Sequence, residues 1–242
     1  MSLRRVPCAL AALALGMLAC NLTTYTTPPA PTLTPTVIAI PASTSAARAG
    51  ASTPPGGGNV VFVDGFDTRA GRWRQFDDAD AVAWYEQARF RIDVKPPGHT
   101  ASSAPDVDLM AGDAVFAVEA TLLDGAESAQ YGLAFRLQGS FDMYLFSVTG
   151  GGAYTFSRLE AGVWETLIPL TASAAVAAGP GATNVLSVRA AGDAFTFLVN
   201  ETPVAQAQDG ALAVGGVGLV VATGEVGGAA VAFDNVSVVA LP

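Results

Sequence analysis

The sequence predicts an all-β protein built as two antiparallel sheets packed face to face. Three observations carry this. Between Gln130 and Pro169, apolar and small or polar residues alternate in successive runs: Tyr131, Leu133, Phe135 and Leu137; then Tyr144, Phe146 and Val148; then Tyr154 and Phe156, with Arg158 in the same parity; then Val163–Leu167. A period of two places each such set on one face of a strand. The runs are separated by Gly139-Ser140, Gly150-Gly151-Gly152 and Ala161-Gly162, connections short enough to make neighbouring strands antiparallel. Nowhere does the chain show an amphipathic helix of useful length or an internal repeat. A meander with one apolar face stays dry only against a second sheet.

The remaining elements follow in order. Val60–Asp64 reads as a first strand, with Gly65-Phe66-Asp67 turning out of it. Trp73, Trp84, Phe90 and Ile92 are large apolar residues spaced through a polar segment, in which Ala81–Tyr85 and Arg89–Val94 read as strands. Lys95–Thr100 reads as a loop, because Pro96, Pro97 and Gly98 cannot continue a ladder. Ala114–Leu123 alternates Phe116, Val118, Ala120 and Leu122 inward against Glu119 and Thr121 outward. After the meander, Ala172–Ala182 is a small-residue loop with room for one helical turn before Gly179. Val185–Ala190 and Ala194–Asn200 form a hairpin over Gly192-Asp193, and Pro203–Gln208 reads as an edge strand. Val214–Ala222 and Ala229–Val239 close the domain. Alternation breaks at Asp234-Asn235, which predicts a bulge. The count is twelve to thirteen strands, all within residues 60–242.

The first 59 residues are different material. Residues 1–19 have a short basic start, Arg4 and Arg5, and an apolar run from Ala9 to Ala19, too short to span a bilayer unaided. Leu18-Ala19-Cys20 then follows, departing at Met17 from the usual leucine. This segment resembles a bacterial lipoprotein signal peptide, and the resemblance implies acylation of Cys20 as the new N-terminus. Cys8 would leave with the signal, so Cys20 would be the only cysteine of the mature chain and no intrachain disulfide is possible. Residues 20–59 hold Pro28, Pro29, Pro31, Pro35, Pro41, Pro54 and Pro55 among many Thr, Ser and Ala, with Arg48 as the only charge. Such composition predicts an extended, disordered tether reaching up to ~100 Å at about 3.1 Å per residue. The expected address is the cell envelope, anchored to the outer face of a membrane.

Charge narrows the partners. The net charge is −9; without residues 1–19 the chain keeps 10 basic and 21 acidic side chains, a net −11. Lys95 is the only lysine. Phosphate binding needs clustered Lys and Arg, so nucleic acid is excluded as an expected partner. The acidity also argues against charge-driven docking on anionic lipid.

The order of motifs adds a resemblance. DGFD (Asp64–Asp67) is followed by YGLAFR (Tyr131–Arg136) and YLFSVTGGGAYTFSRLEAGVWETL (Tyr144–Leu167). Then come N-x-L-x-V-x-x-x-G (Asn184–Gly192), FLVNETPV (Phe197–Val204) and AFDNVSV (Ala232–Val238). Together they resemble the concanavalin A-like lectin and glucanase superfamily, nearest its laminin G-like and 3-keto-disaccharide-hydrolase-like modules, over roughly Val60 to Val239. The resemblance implies a jelly-roll β-sandwich and a glycan as partner.

Glucanases of that superfamily carry E-x-D-x-x-E or E-x-D-x-E on one strand, since retaining hydrolysis needs two carboxyls about 5–5.5 Å apart. No such run occurs here. Glu119 stands alone on its strand, and Glu160 and Glu165 flank a turn; a pair assembled from separate strands stays open. His99, the only histidine, lies in a loop with no histidine or free cysteine to join it, which argues against a triad or a histidine-built zinc site. Asp77-Asp78-Ala79-Asp80, Asp106-Val107-Asp108, Asp142 and Asp234 leave a structural calcium ion open, although none has EF-hand spacing. Gly215-Gly216-Val217-Gly218 lacks a following helix and is no phosphate cradle. It reads as a tight turn and close sheet approach.

The expected function is therefore noncatalytic carbohydrate binding. The alternatives are a sugar-processing hydrolase or lyase and a structural or protein-binding spacer. Strand parity sets Ala134, Arg136, Leu145 and Ser147 on the face opposite Leu133, Phe135, Phe146 and Val148. This predicts a shallow groove with Arg136 at its floor beside Ser147, walled by Tyr131 and Trp164, with Tyr144 as a further aromatic candidate. Metal ligands and oligomeric state are not specified by the sequence.

Overall fold

A computed structural model describes residues 59–68, 72–139 and 142–242. The signal-like segment, Cys20 and nearly all of the tether lie outside those residues. In chain order the strands are β1 (Val60–Asp64), β2 (Phe76–Asp77), β3 (Ala81–Glu86), β4 (Arg89–Val94), β5 (Thr100–Ser103), β6 (Ala114–Gly125), β7 (Gln130–Gln138), β8 (Asp142–Thr149), β9 (Ala153–Glu160), β10 (Val163–Ala172), β11 (Thr183–Ala191), β12 (Ala194–Val199), β13 (Thr202–Gln208), β14 (Gly216–Ala222) and β15 (Ala229–Ala240). The described residues contain no helix.

The strands form two sheets. The nine-stranded sheet runs β13-β12-β11-β6-β15-β4-β3-β2, with β1 also paired to β15. The six-stranded sheet runs β10-β9-β8-β7-β14-β5. Every pairing is antiparallel. The predicted meander is β7 to β10, and the predicted edge strand is β13. One edge of β15 is shared: β4 takes Ala229–Phe233 and β1 takes Val236–Val239. The register shifts between them, where Asn235 has a φ of 51°, so the bulge expected at Asp234-Asn235 is the point where the strand changes partner.

Alternation builds the core. Phe116 and Val118 of β6, Leu186 and Val188 of β11, and Phe195 and Phe197 of β12 face Phe135, Tyr144, Phe146 and Phe156 of the other sheet. The rings pack closely, with Phe156 and Phe197 4.5 Å apart and Phe146 and Phe197 4.8 Å apart. Each such burial contributes roughly 1.5–3 kcal/mol. A second aromatic group, Phe66, Trp73, Tyr85 and Phe90, fills the space beneath β3 and β4.

Three details depart from the sequence reading. β2 and β5 lie outside the strands the sequence predicts; both are short and β5 is polar, so tertiary pairing rather than propensity makes them strands. The helical turn expected before Gly179 is absent. The Gly179 N–H instead donates to the Gly150 carbonyl at 2.8 Å, tying that loop to the meander.

Candidate functional site

The outer face of the six-stranded sheet is fixed by its register. Trp164, Leu159 and Met143 form one cross-strand row. Thr166, Ser157, Leu145, Ala134 and Gly218 form the next. Thr155, Ser147, Gly132, Val220 and Ser102 form a third. No aspartate or glutamate stands in any of these rows. Ala134, Met143, Leu145, Leu159 and Val220 join Leu137 in a small apolar cluster separate from the main core.

A small open cleft of about 160 Å³ lies on this face, below the ~300–1,000 Å³ usual for drug-sized ligand sites and so a seat for only a small part of a ligand. Its lining includes Arg74, Ser102, Ser103, Leu137, Met143 and Gly218. The absence of a side chain at Gly218 helps shape it. A Cβ there would sit 3.3 Å from the Ser103 carbonyl oxygen, 3.4 Å from Leu137 Cδ2 and 3.5 Å from Ala134 Cβ.

Arg74 reaches the rim from a strap between β1 and β2. Buried Trp73 holds that strap: its indole N–H donates to Asp64 at 3.0 Å and its backbone N–H to the Tyr85 hydroxyl at 3.0 Å. Arg74 donates its own backbone N–H to the Ala104 carbonyl and accepts the Ser103 hydroxyl at 2.8 Å. The strap is therefore pinned by main-chain bonds while the guanidinium is exposed.

The structure corrects the place of Arg136. It is not at the floor of an outer groove; it is 1% exposed and turned inward. Its φ is 49°, and the β7–β8 register shifts between Phe135 and Gln138. This bulge breaks parity, so Phe135 and Arg136 both face inward and Leu137 joins the outer cluster. The guanidinium donates to the carbonyls of Leu212 (2.9 Å), Gly192 (2.8 Å) and Gly112 (3.2 Å) and lies over the Phe195 ring. Three connections, β5–β6, β11–β12 and β13–β14, are thus tied to one side chain. Burial pushes the Arg136 pKa below its ordinary value, against weaker opposing effects of Tyr144 and Asp113. Gly215 makes room for the bulge, since a Cβ there would sit 2.3 Å from the Arg136 carbonyl carbon.

The other sequence candidates divide. Tyr131 and Tyr144 are core residues, not walls of the outer face. The Tyr131 hydroxyl accepts from Asn184 at 3.1 Å, and burial raises its pKa. The Tyr144 hydroxyl donates to Asp209 at 2.5 Å and accepts the Leu212 N–H at 3.2 Å. Burial, then the bond to Asp209, pushes Tyr144 up to about 12. Burial alone would raise Asp209, but bonds from Tyr144, the Ala211 N–H and Arg158 hold it below the usual carboxylate range. Arg158 also pairs with Glu165 at 2.6 Å. Ser147 does lie on the outer face, yet it is buried, with its hydroxyl accepting from Gln130 at 2.6 Å. Trp164 lies on the outer face and is 48% exposed. Of the predicted set, only Trp164 and Ser147 share the outer face with the cleft, and neither lines it. Sequence reasoning missed Arg74, Ser102, Met143 and Gly218. Met143 shares the parity of Leu145 and Ser147, a signal that was present; Arg74 lies outside any alternating run.

The acidic loop at Asp77–Asp80 is held by its own backbone and by Lys95. Asp78 Oδ1 accepts the N–H groups of Asp80 and Ala81, which lower its pKa, and Lys95 donates to the Asp78 carbonyl at 2.7 Å. Among the described residues, no three of His, Cys, Asp and Glu converge as a metal site.

No protein-family description matches the sequence, and no curated protein matches it either. Solved structures do. A carbohydrate-binding module from Bacillus subtilis superposes with a TM-score of 0.51 at 19% identity, covering 69% of this chain and 95% of that one. A Bacillus subtilis protein of unknown function with a galectin-like fold gives 0.58 at 8% identity, covering 75% and 96%. The Bacillus licheniformis β-glucanase gives 0.52 at 10% identity, covering 76% and 100%. At these identities the likeness is one of fold. The chain has the concanavalin A-like fold, a jelly-roll sandwich it shares with carbohydrate-binding modules and glucanases.

Proposed function

We propose that this chain is an exported lipoprotein whose β-sandwich binds carbohydrate without transforming it. The observation that carries the reading is the open cleft on a sheet face without carboxylates. Its mix of exposed hydroxyl, apolar surface and guanidinium suits a sugar, which presents both hydroxyls and C–H faces. Trp164, in the same cross-strand row as Met143 of the cleft lining and two strands away, so about 10 Å off at ~4.8 Å per strand, offers a second contact for a longer glycan. The fold is that of known carbohydrate-binding modules and of glucanases. Retaining hydrolysis needs a carboxyl pair about 5–5.5 Å apart, and the cross-strand rows around the cleft supply none, which favours the noncatalytic reading over the enzymatic one.

The test is a glycan array probed with the full chain and with Ser102→Phe. Ser102 is exposed and lines the cleft, so the ring should block it without disturbing the core. At least tenfold weaker binding is expected, about 1.4 kcal/mol, with the melting midpoint unchanged. Absence of binding to every glycan would favour the spacer reading, and sugar cleavage would overturn the noncatalytic one. The anchor is tested separately. Cys20→Ser should release the protein from membranes or leave it as precursor; wild-type fractionation and migration would overturn lipidation at Cys20.

A further inference from the structure

Resting on the glycan-binding reading, we propose that the cleft selects sugars bearing an oxyanion, a carboxylate or a sulfate ester, and that Arg74 recognises it. Among the described residues, Arg74 is the only charged one lining the cleft. Of the other described arginines, Arg72, Arg89 and Arg189 likewise have no carboxylate within ion-pair distance but do not line the cleft, and three have their charge engaged. Arg91 pairs with Asp93 and Glu86, Arg158 with Asp209, Glu165 and Glu160, and Arg136 with three carbonyls. Arg74 has no carboxylate within ion-pair distance among the described residues. In a chain with 21 acids against 12 bases, that leaves an exposed arginine lining an open site with no protein partner for its guanidinium among the described residues.

Position and chemistry agree. The Arg74 backbone is fixed by Ala104 and Ser103, so a contact at its head carries little loop-ordering cost. A guanidinium offers five donors in a planar fork and pairs with oxyanions bidentately. The Ser102 hydroxyl, in the same cleft lining, can donate to the same group or to a neighbouring sugar hydroxyl. The overall charge of −9 repels an anion at long range, but screening confines such effects to about 8 Å at physiological salt. Among the described residues lining the cleft, the only formal charge is positive.

The full chain would be titrated with oligogalacturonates, with the same oligomers after reduction of their carboxyls to alcohols, and with sulfated oligosaccharides of similar length. At least about tenfold preference for one charged series over the neutral one is expected, as for a hydrogen bond to a charged group. In Arg74→Gln that preference should fall towards one, and Arg74→Lys should keep only part of it. Arg91→Gln on the opposite sheet should leave it intact, and circular dichroism of each variant reads folding. Preference for the sulfated series, lost in Arg74→Gln, would support the inference and identify the oxyanion as sulfate. Equal affinity for charged and neutral oligomers, or a preference that survives Arg74→Gln, overturns the inference while glycan binding stands. Failure to bind any of the three series or any arrayed glycan overturns both.

Discussion

The two outer faces of the sandwich solve the same problem in opposite ways. On the nine-stranded sheet, Arg91 lies over the Trp84 ring at 4.9 Å and bonds Asp93 at 2.7 Å and Glu86 at 3.0 Å, while Thr121 and Thr183 bond each other at 2.8 Å. Around Arg91, charge and aromatic surface are spent within the protein, while Arg89 and Arg189 of the same face have no carboxylate within ion-pair distance among the described residues. On the six-stranded sheet the cross-strand rows hold no acid, the floor is Ala134 and Gly218, and the rim carries Arg74. An aromatic beside an arginine is thus no sign of a binding face when each already satisfies the other. Unspent donors over a small-residue floor are the better sign.

The contrast can be broken most severely at Arg136, whose bulge turns Leu137 towards the cleft. Arg136→Met should leave the carbonyls of Leu212, Gly192 and Gly112 without their donor, costing about 3 kcal/mol and lowering the melting midpoint by roughly 10 °C. A loss under about 1 kcal/mol would show that water replaces the guanidinium freely. Tyr144→Phe comes next, at roughly 2 kcal/mol, because Asp209 loses a buried donor. Its pH dependence has a defined sign. A hydroxyl pKa raised to about 12 keeps the native state protonated where the unfolded chain ionises, so this stability is present below pH ~10 and is lost as pH rises towards about 12. Denaturant titrations of Tyr144→Phe should show a flatter alkaline limb than wild type; an unchanged limb would contradict the assignment. The smallest effect belongs to the opposite face. Arg91→Ala should cost at most about 1 kcal/mol, as partly exposed pairs do, and should leave glycan affinity unchanged. A change in affinity would move the site to the nine-stranded sheet.

Much of the fold was legible because side-chain alternation reports burial directly. The meander, the hairpin over Gly192-Asp193 and the bulge at Asp234-Asn235 all followed from period and turn residues. The site was less legible, for a reason visible at Arg136. Parity assigns a face only while the ladder is unbroken, and one residue with a φ of 49° reverses the assignment for everything beyond it. Nothing in Tyr131–Gln138 marks that residue, since arginine is not a usual occupant of the left-handed region. Its cause lies some 80 residues away, in the close approach of Gly215. Tyr131 and Tyr144 carried the right parity for the core, and their hydroxyls found buried partners instead of a ligand. Arg74 and Ser102 escaped because polar, irregular segments carry no periodic signal, and contact with the sheet alone orders them.

The shared edge of β15 has a mechanical consequence. A pull applied at Asn59 enters the described domain through β1, five residues held by one neighbouring strand, the buried ring of Phe62 and the bond from the Trp73 indole to Asp64. Drawn along its own axis, β1 loads its ladder bonds together; peeled sideways, it loads them one by one. The strap that presents Arg74 hangs from the same Asp64. Tension along β1 would therefore be shared at once between the core, through Phe62, and the strap behind Arg74, through Asp64 and Trp73.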